Sequence, residues 1–512
     1  MRVARNVTRR SLLAAAIAAL GLAATVRPAS GSPPTARSCI DHSVALSVEE
    51  RRLSYRLPRN DNPAVLQSKP FATRMIEGAG FQGFAPQLVR LICHARDLRT
   101  LRAIAVAQGE RLWFTAVDRA QRRGRVRGEL PYSDDRPLYW ARLQGTAALR
   151  QARLRFRASA RARLEVIAAF DEASRGMFAI HFPAGRGFTR IILSGFDPYT
   201  LDGGARGTAP GAAGDNIRHG NPSGATALAL EGTRFRTRDG RLEVIETYIL
   251  PVNYLQFREG YLEDTVGPVM RPGPRRVDAS ITMSQANGAE FDLEQWNGRY
   301  HGVTIGNDDL APCPNLGGVP QLAIANPRCN ISVVRRWGGP ARFALENPPQ
   351  WTHTTLPVGR LIEADTGRGI PRPPGDPWPD PSAAFGVVWH TQYIEFPSCT
   401  ARAEVTRNEP VPTRYPPPMP PVPPDAGSCA YQGGGGNYLS NESAYRNTLL
   451  RDRLRAPVLA GHIHTPFMQY FAPGDLYDPS DATFNAWRLA IVAQAKRLVH
   501  VVGQSAPARR TG

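Results

Sequence analysis

Lysine is almost missing from this chain. Of its 63 basic side chains, all but Lys69 and Lys496 are arginine, so the positive charge is guanidinium and does not titrate. Membrane-spanning apolar runs are missing too. The N-terminal stretch from Leu12 to Val26 is short for a span and rich in small residues. No Lys-Ser or Lys-Thr pair follows the glycines from Gly433 to Gly436, which excludes a phosphate loop. No nucleic-acid-binding motif accompanies the arginines, so no specific nucleic acid is expected as a partner. Sequence repeats are absent. His219, His301, His353 and His390 are scattered without ligand spacing. His462 and His464 form an H-x-H pair that would share one face of a strand. Without a third ligand, no metal is expected, and no cofactor is implied. His390 becomes a candidate ligand only if the segment carrying it folds over the site.

With 512 residues the chain is long enough for two or three domains. Its formal charge of +19 is unevenly placed. Residues 1–190 hold 33 basic against 14 acidic side chains, and the rest holds 30 of each. The excess reads either as compositional bias or as attraction to an anionic envelope surface. The start of the chain reads as an export signal over residues 1–31. Arg2, Arg5, Arg9 and Arg10 precede the apolar stretch, TRRSLLAA resembles a twin-arginine signal, and Ala29-x-Gly31 offers a cleavage point. A secreted or periplasmic location is expected. In that setting the six cysteines read as disulfides. Chain order suggests Cys39–Cys93, Cys313–Cys329 and Cys399–Cys429.

Residues 40–185 form an arginine-rich, mostly helical part, with apolar residues at helical spacing in PQLVRLICHARDLRTLRAIAVAQ, DDRPLYWARLQGTAALR and Ala160 to Ala173. Ser47 before Glu49 and Glu50 is a candidate N-cap. Tyr139 and Trp140 read as core. From Thr189 the pattern changes to β-branched runs alternating with helical ones: Arg190 to Ser194, Leu242 to Pro251, Val277 to Ser284 and Val458 to Ile463. A helix from about Asp481 to Val502 closes the chain. This alternation predicts a three-layer α/β/α open twisted sheet, with sites at the carboxyl ends of strands. Residues 301–426 read as an insertion with strand-like pieces such as FGVVWHTQYIEF. It ends in nine prolines between Pro410 and Pro424, an extended linker.

The chemistry sits in GGGGNYLSNESAY and GHIHTP. A glycine-rich approach brings Ser440 to the start of a helix, where N–H groups and the dipole favour a developing anion. His464 ends an apolar run further on and is a candidate base. A helix N-cap is the alternative for Ser440. Three upstream segments complete a set: TRIILSGFDPYT with HGNPSGATAL, then IETYILPVNY, then VDASITMSQANGAEFDLEQWNG.

Together these five motifs, in order, resemble pyroglutamyl peptidase I, a cysteine peptidase family that removes N-terminal pyroglutamate. The resemblance covers residues 186–300 and 427–505. It implies a nucleophile at Ser440, a histidine at His464 and a glutamate at Glu294. It also implies aromatic walls at Phe196 and Tyr199, a lactam-binding Gln285, and Leu439 before the nucleophile. Glu294 is expected in a loop or short helix, with Glu290 and Asp292 as fallbacks. The departures are specific. Serine stands where the family has cysteine, and the spacing around Glu294 is one residue shorter. Ser284 and Asn287 replace two glycines, and more than 80 residues separate the glutamate from the nucleophile. The implied activity is hydrolysis of a pyroglutamyl peptide or small amide by a Ser–His–Glu triad. The alternatives are a lactam-binding protein without turnover and an envelope-binding structural protein. The oligomeric state is left open.

Overall fold

A computed structural model describes residues 39–507 apart from 125–127, 200, 202–216, 287, 301–303, 311–335, 338–344, 347, 402, 412–414, 469 and 476. The expected signal segment, Cys313 and Cys329 lie outside the described residues. The described residues form one compact unit.

The first part is helical, as its periodicity predicts. α1 (Val48–Arg51) starts with a capping box in which Ser47 and Glu50 satisfy each other's backbone N–H groups. α2 (Phe71–Gly78), α3 (Phe84–His94), α4 (Leu98–Ala120), α5 (Arg136–Gln151) and α6 (Ala160–Ser174) follow. The apolar pattern runs through residues 86–108, but the helix is broken at Ala95–Asp97. There the Asp97 carboxylate accepts from Thr100 N–H at 2.7 Å and starts a new helix. Tyr139 and Trp140 are core residues. The helices share their apolar core with Ile217, Ala227, Leu228 and Ile249 of the part that follows.

Some of the N-terminal arginine is internal. Arg119, Arg136, Arg142, Arg175 and Arg190 are buried. Arg136 pairs with Asp134, and Arg142 and Arg175 pair with Asp197.

The second part is built on β1 (Phe188–Phe196), α7 (Pro222–Leu230), β2 (Arg234–Arg236), β3 (Leu242–Leu250), α8 (Tyr254–Glu259), α9 (Tyr261–Met270), β4 (Ala279–Gln285) and β5 (Phe291–Glu294). Two short strands, β6 (Trp296–Gly298) and β7 (Trp351–His353), pair with each other, and β8 (Val387–His390) follows. β9 (Tyr393–Phe396), β10 (Val405–Arg407) and β11 (Cys429–Gln432) make a small antiparallel sheet. α10 (Leu439–Arg453), β12 (Leu459–Thr465) and α11 (Ala482–Ser505) complete the chain.

The main sheet has seven strands in the order β8-β5-β12-β4-β1-β3-β2. Its centre, β12-β4-β1-β3, is parallel. β5 runs antiparallel to β12, and β2 antiparallel to β3. Alternate residues serve opposite faces. Ile191, Leu193, Ile281 and Ile463 pack with Trp487, Ile491 and Leu498 of α11. Ile192, Val244 and Tyr248 pack on the other side with Leu262 and Val266 of α9 and Leu450 of α10. Both faces are therefore covered, which gives the three layers and explains why these strands read as near-continuous apolar runs. Disulfides Cys39–Cys93 and Cys399–Cys429 are formed. Among the described residues, no helix is long and apolar enough to cross a membrane.

The segment read as an insertion contributes to the main sheet. Its strand β8 adds to the edge of the main sheet in parallel with β5, and His390 pairs in register with Glu294. Glu294, expected in a loop or short helix, is the last residue of strand β5.

Candidate functional site

The site lies where β1, β4 and β12 end, beside the start of α10. The helix is held there by Asn441. Its Nδ2 donates to Gly298 O at 2.7 Å, and its Oδ1 accepts from Gly298 N–H at 2.8 Å. The N-cap is Tyr438, which makes no side-chain capping bond. Ser440 is the second helical residue and not a cap, so its hydroxyl is available to the cleft. The N–H groups of this first turn have no intrahelical acceptor, and the positive end of the dipole points the same way.

Glu294 is the electrostatic centre. Its Oε1 is 2.6 Å from His464 Nδ1, and its Oε2 is 3.0 Å from His390 Nδ1. Burial alone would raise this carboxyl. The charges of His390 and His464, with their hydrogen bonds, hold it well below the usual carboxylate range. Burial pulls His390 down, but the Glu294 charge and hydrogen bond outweigh it and push the imidazole up to about 9. Asp292 is pushed up to about 7, by burial and then by the Glu294 charge. The backbone crowds this carboxylate closely. A Cβ added at Gly434 would overlap Glu294 Oε2 and lie 3.1 Å from His390 Nδ1, so only glycine fits.

His462 is fully buried beside His464, with ring centroids 4.8 Å apart. Burial, then the His464 charge, lowers it well below its ordinary value, which keeps it neutral. It bridges Thr282 Oγ1 and Ser284 Oγ, each at 2.8 Å. Ser284 in turn donates to Ser440 Oγ at 2.8 Å. No direct hydrogen bond joins Ser440 and His464, although both line one cleft. Bonds of this kind are commonly loose without substrate and tighten on binding.

The cleft has a volume of about 810 Å³. Ser440, His464, His390 and Asp292 meet there with Arg52 from the helical part and Gln392 from the insertion. A smaller pocket of about 30 Å³ adjoins Ser440 and is walled by Phe196, Tyr199, Gln285, Leu439 and Tyr438. Gln285 is oriented at both ends. Its Nε2 donates to the Tyr199 hydroxyl at 3.1 Å, and its Oε1 accepts from Met468 N–H at 3.0 Å. Phe196 is also core, stacked on Phe257.

All seven residues expected from sequence thus come together. Sequence reasoning missed His390 as a partner of Glu294 and Ser284 as a partner of Ser440. The strand-like FGVVWHTQYIEF was the one signal for the former. The H-x-H pair gains no third ligand among the described residues, but His464 belongs to another set of metal-ligating groups that the sequence pattern did not show. Asp292, Glu294 and His464 offer atoms within 4.8 Å of one another. The His464 Nδ1 and Glu294 Oε1 atoms that such a set would offer already bond each other at 2.6 Å, so the arrangement favours a carboxylate that orients a histidine.

Fold and site together define an α/β/α protein with a carboxylate–imidazole pair facing a serine at a helix start. The chain belongs to the PA0049 family: residues 190–469 match its C-terminal domain and residues 29–171 its N-terminal domain. It is 42% identical to the uncharacterized protein PA0049 of Pseudomonas aeruginosa over a 552-residue alignment that covers 99% of each chain. Among solved structures, pyrrolidone carboxyl peptidase from the hyperthermophile Pyrococcus furiosus is similar at a TM-score of 0.32 and 14% identity, over 61% of this chain and 100% of that one. Bacillus amyloliquefaciens pyroglutamyl peptidase I is similar at 0.33 and 15%, over 63% and 98%.

Proposed function

We propose that the protein is an exported amide hydrolase of the pyroglutamyl-peptidase type with a serine nucleophile. The observation that carries this reading is the Glu294–His464 pair facing the same cleft as Ser440, next to a small pocket with aromatic walls. Ser440 Oγ attacks the amide carbonyl and its proton passes to His464 Nε2. The carbonyl electron pair moves onto oxygen, where N–H groups at the start of α10 receive it. The C–N bond then breaks, the amine takes the proton from His464, and an ester on Ser440 remains. Water, deprotonated by His464, hydrolyses that ester. Glu294 holds the Nδ1–H tautomer throughout. The ring packs against the walls of the small pocket from the side of the wide cleft, which also takes the leaving peptide or amine. The two disulfides and the N-terminal segment support export.

The test is hydrolysis of a fluorogenic pyroglutamyl amide by the mature protein, with Ser440→Ala beside it. Turnover that disappears in the variant supports the reading. Turnover that survives it removes Ser440 from the mechanism. Binding of the amide without turnover favours a lactam-binding protein on this scaffold. Gly434→Ala should lower turnover about a hundredfold through displacement of Glu294, and the overpacking should also lower the melting temperature by several degrees. A native rate in Gly434→Ala would mean that Glu294 does not need its present position.

A further inference from the structure

Ser284 and His462 are buried polar groups that the triad does not use. Their hydrogen bonds form a continuous line to the nucleophile, and its polarity can be worked out. Ser284 has one hydroxyl proton, and it goes to Ser440 Oγ at 2.8 Å. Ser284 therefore accepts from His462, so the neutral imidazole carries its proton on Nε2, 2.8 Å away. Nδ1 is then an acceptor, and the Thr282 hydroxyl 2.8 Å away is its donor. The other acceptor within reach of Thr282, Gly461 O, is at 3.5 Å. Every step runs in one direction, from Thr282 through His462 and Ser284 to Ser440.

This polarity has two effects on Ser440. One lone pair of Oγ is occupied by a donor, which leaves the Ser440 proton free to point toward the cleft and His464. The same donor also stabilises negative charge as it develops on Oγ during attack, because a hydrogen bond to an ionised partner is stronger than one to a neutral partner. The strand register builds the line. Thr282 and Ser284 are two apart on β4, so they share a face. They pair with His462 and His464 on the adjacent parallel strand. Ser284 and His462 are both buried, so water does not compete for the bond between them.

We propose that Ser284, held by His462 and Thr282, is a positioning residue that raises the reactivity of the Ser440 hydroxyl. This rests on the hydrolase reading above. It extends that reading by giving the serine a hydrogen-bond donor in addition to its base.

The experiment uses a fluorophosphonate probe on the full-length mature protein, which needs no knowledge of the substrate. Ser440 Oγ forms a bond to phosphorus, the P–F bond breaks, fluoride leaves, and the Ser440 proton goes to His464. The rate is followed against pH, and the labelled residue is located by mass spectrometry. Native protein should be labelled at Ser440. Ser284→Ala should label about tenfold to a hundredfold more slowly at the pH plateau, with the midpoint of the pH profile unchanged. Thr282→Val, which frees the His462 tautomer and does not touch Ser440, should slow labelling about threefold or more. It decides the matter if Ser284→Ala does not fold. Equal plateau rates in native protein and the folded variants would overturn the role of Ser284 and leave the triad standing. A shifted midpoint with an unchanged plateau would also overturn it, because the perturbed group would then be His464. Absence of labelling in the native protein would overturn both readings.

Discussion

Glu294→Gln should lower kcat about a thousandfold to ten-thousandfold while leaving the sheet intact. The substitution keeps the shape of the side chain and changes two things. The first is proton placement. Glu294 accepts at both oxygens, from His464 at 2.6 Å and His390 at 3.0 Å. A glutamine accepts at one atom and donates at the other. If its amide nitrogen faces His464, Nδ1 must become an acceptor, the ring proton moves to Nε2, and the base toward Ser440 is lost. If the amide faces His390, His464 keeps its tautomer but loses the anion that stabilises its charged form. The second change is electrostatic. The Glu294 charge overcomes the burial that pulls His390 down. Without it, the His390 pKa should fall from about 9 toward or below the ordinary histidine value.

The two changes are separable by measurement. Steady-state kinetics reports the first, and the histidine C2–H resonance of His390 followed against pH reports the second. A kcat within about threefold of native would remove Glu294 from the mechanism. The sign of the accompanying stability change also follows. The raised His390 contributes stability that is full below its unfolded pKa and is lost as pH rises through about 9. Native protein should therefore weaken between roughly pH 7 and 9, and Glu294→Gln should not show that slope.

The strands β1, β3, β4 and β12 were legible because each is buried on both faces and reads as an apolar, β-branched run. Ser440, His464 and the small pocket were legible because motif order carried them. Other parts depend on pairings that no local pattern encodes. β5 has four residues, too few for a periodicity that separates a strand from a loop or a helical turn. His390 reaches Glu294 from 96 positions away, and only the addition of β8 to the sheet edge sets that meeting. Ser284 looked like a departure from a glycine motif. Its hydroxyl gains meaning from the β4–β12 register, which places His462 beside it. The split between α3 and α4 was hidden for a different reason. The apolar period continues across Ala95–Asp97, and the capping bond from Asp97 outweighs it locally.

Asp197→Asn should destabilise the protein by about 3–5 kcal/mol, the largest stability loss expected from one conservative change here. Asp197 follows β1 directly and is buried with two arginines from the helical part. Arg142 Nη1 donates to its two oxygens at 2.7 and 3.0 Å, and Arg175 Nη1 donates at 2.6 Å. Burial alone would raise this carboxyl, but the Arg142 and Arg175 charges hold it below the ordinary value. Removing the negative charge leaves two buried guanidinium groups facing a neutral amide. Arg175 keeps Asp171 at 2.8 Å, whereas Arg142 is left with the neutral Ser174 Oγ at 3.0 Å and Ser174 O at 3.4 Å, and its remaining carboxylate, Asp171, is 4.0 Å away. The cost therefore falls mainly on Arg142. For that reason Asp197→Asn combined with Arg142→Met should be more stable than Asp197→Asn alone, since the unpaired cation is gone. Chemical denaturation of the two variants checks this, and equal stabilities would mean that the buried charge is satisfied some other way. The pH dependence runs opposite to that of His390. A depressed carboxyl contributes stability above its unfolded pKa and loses it as pH falls through the folded value. Native protein should therefore lose this contribution in acid, below about pH 4, and Asp197→Asn should lack it at every pH. The same ion pairs hold the chain just ahead of Tyr199, so Asp197→Asn should also loosen the wall of the small pocket and raise KM for a ring-bearing substrate.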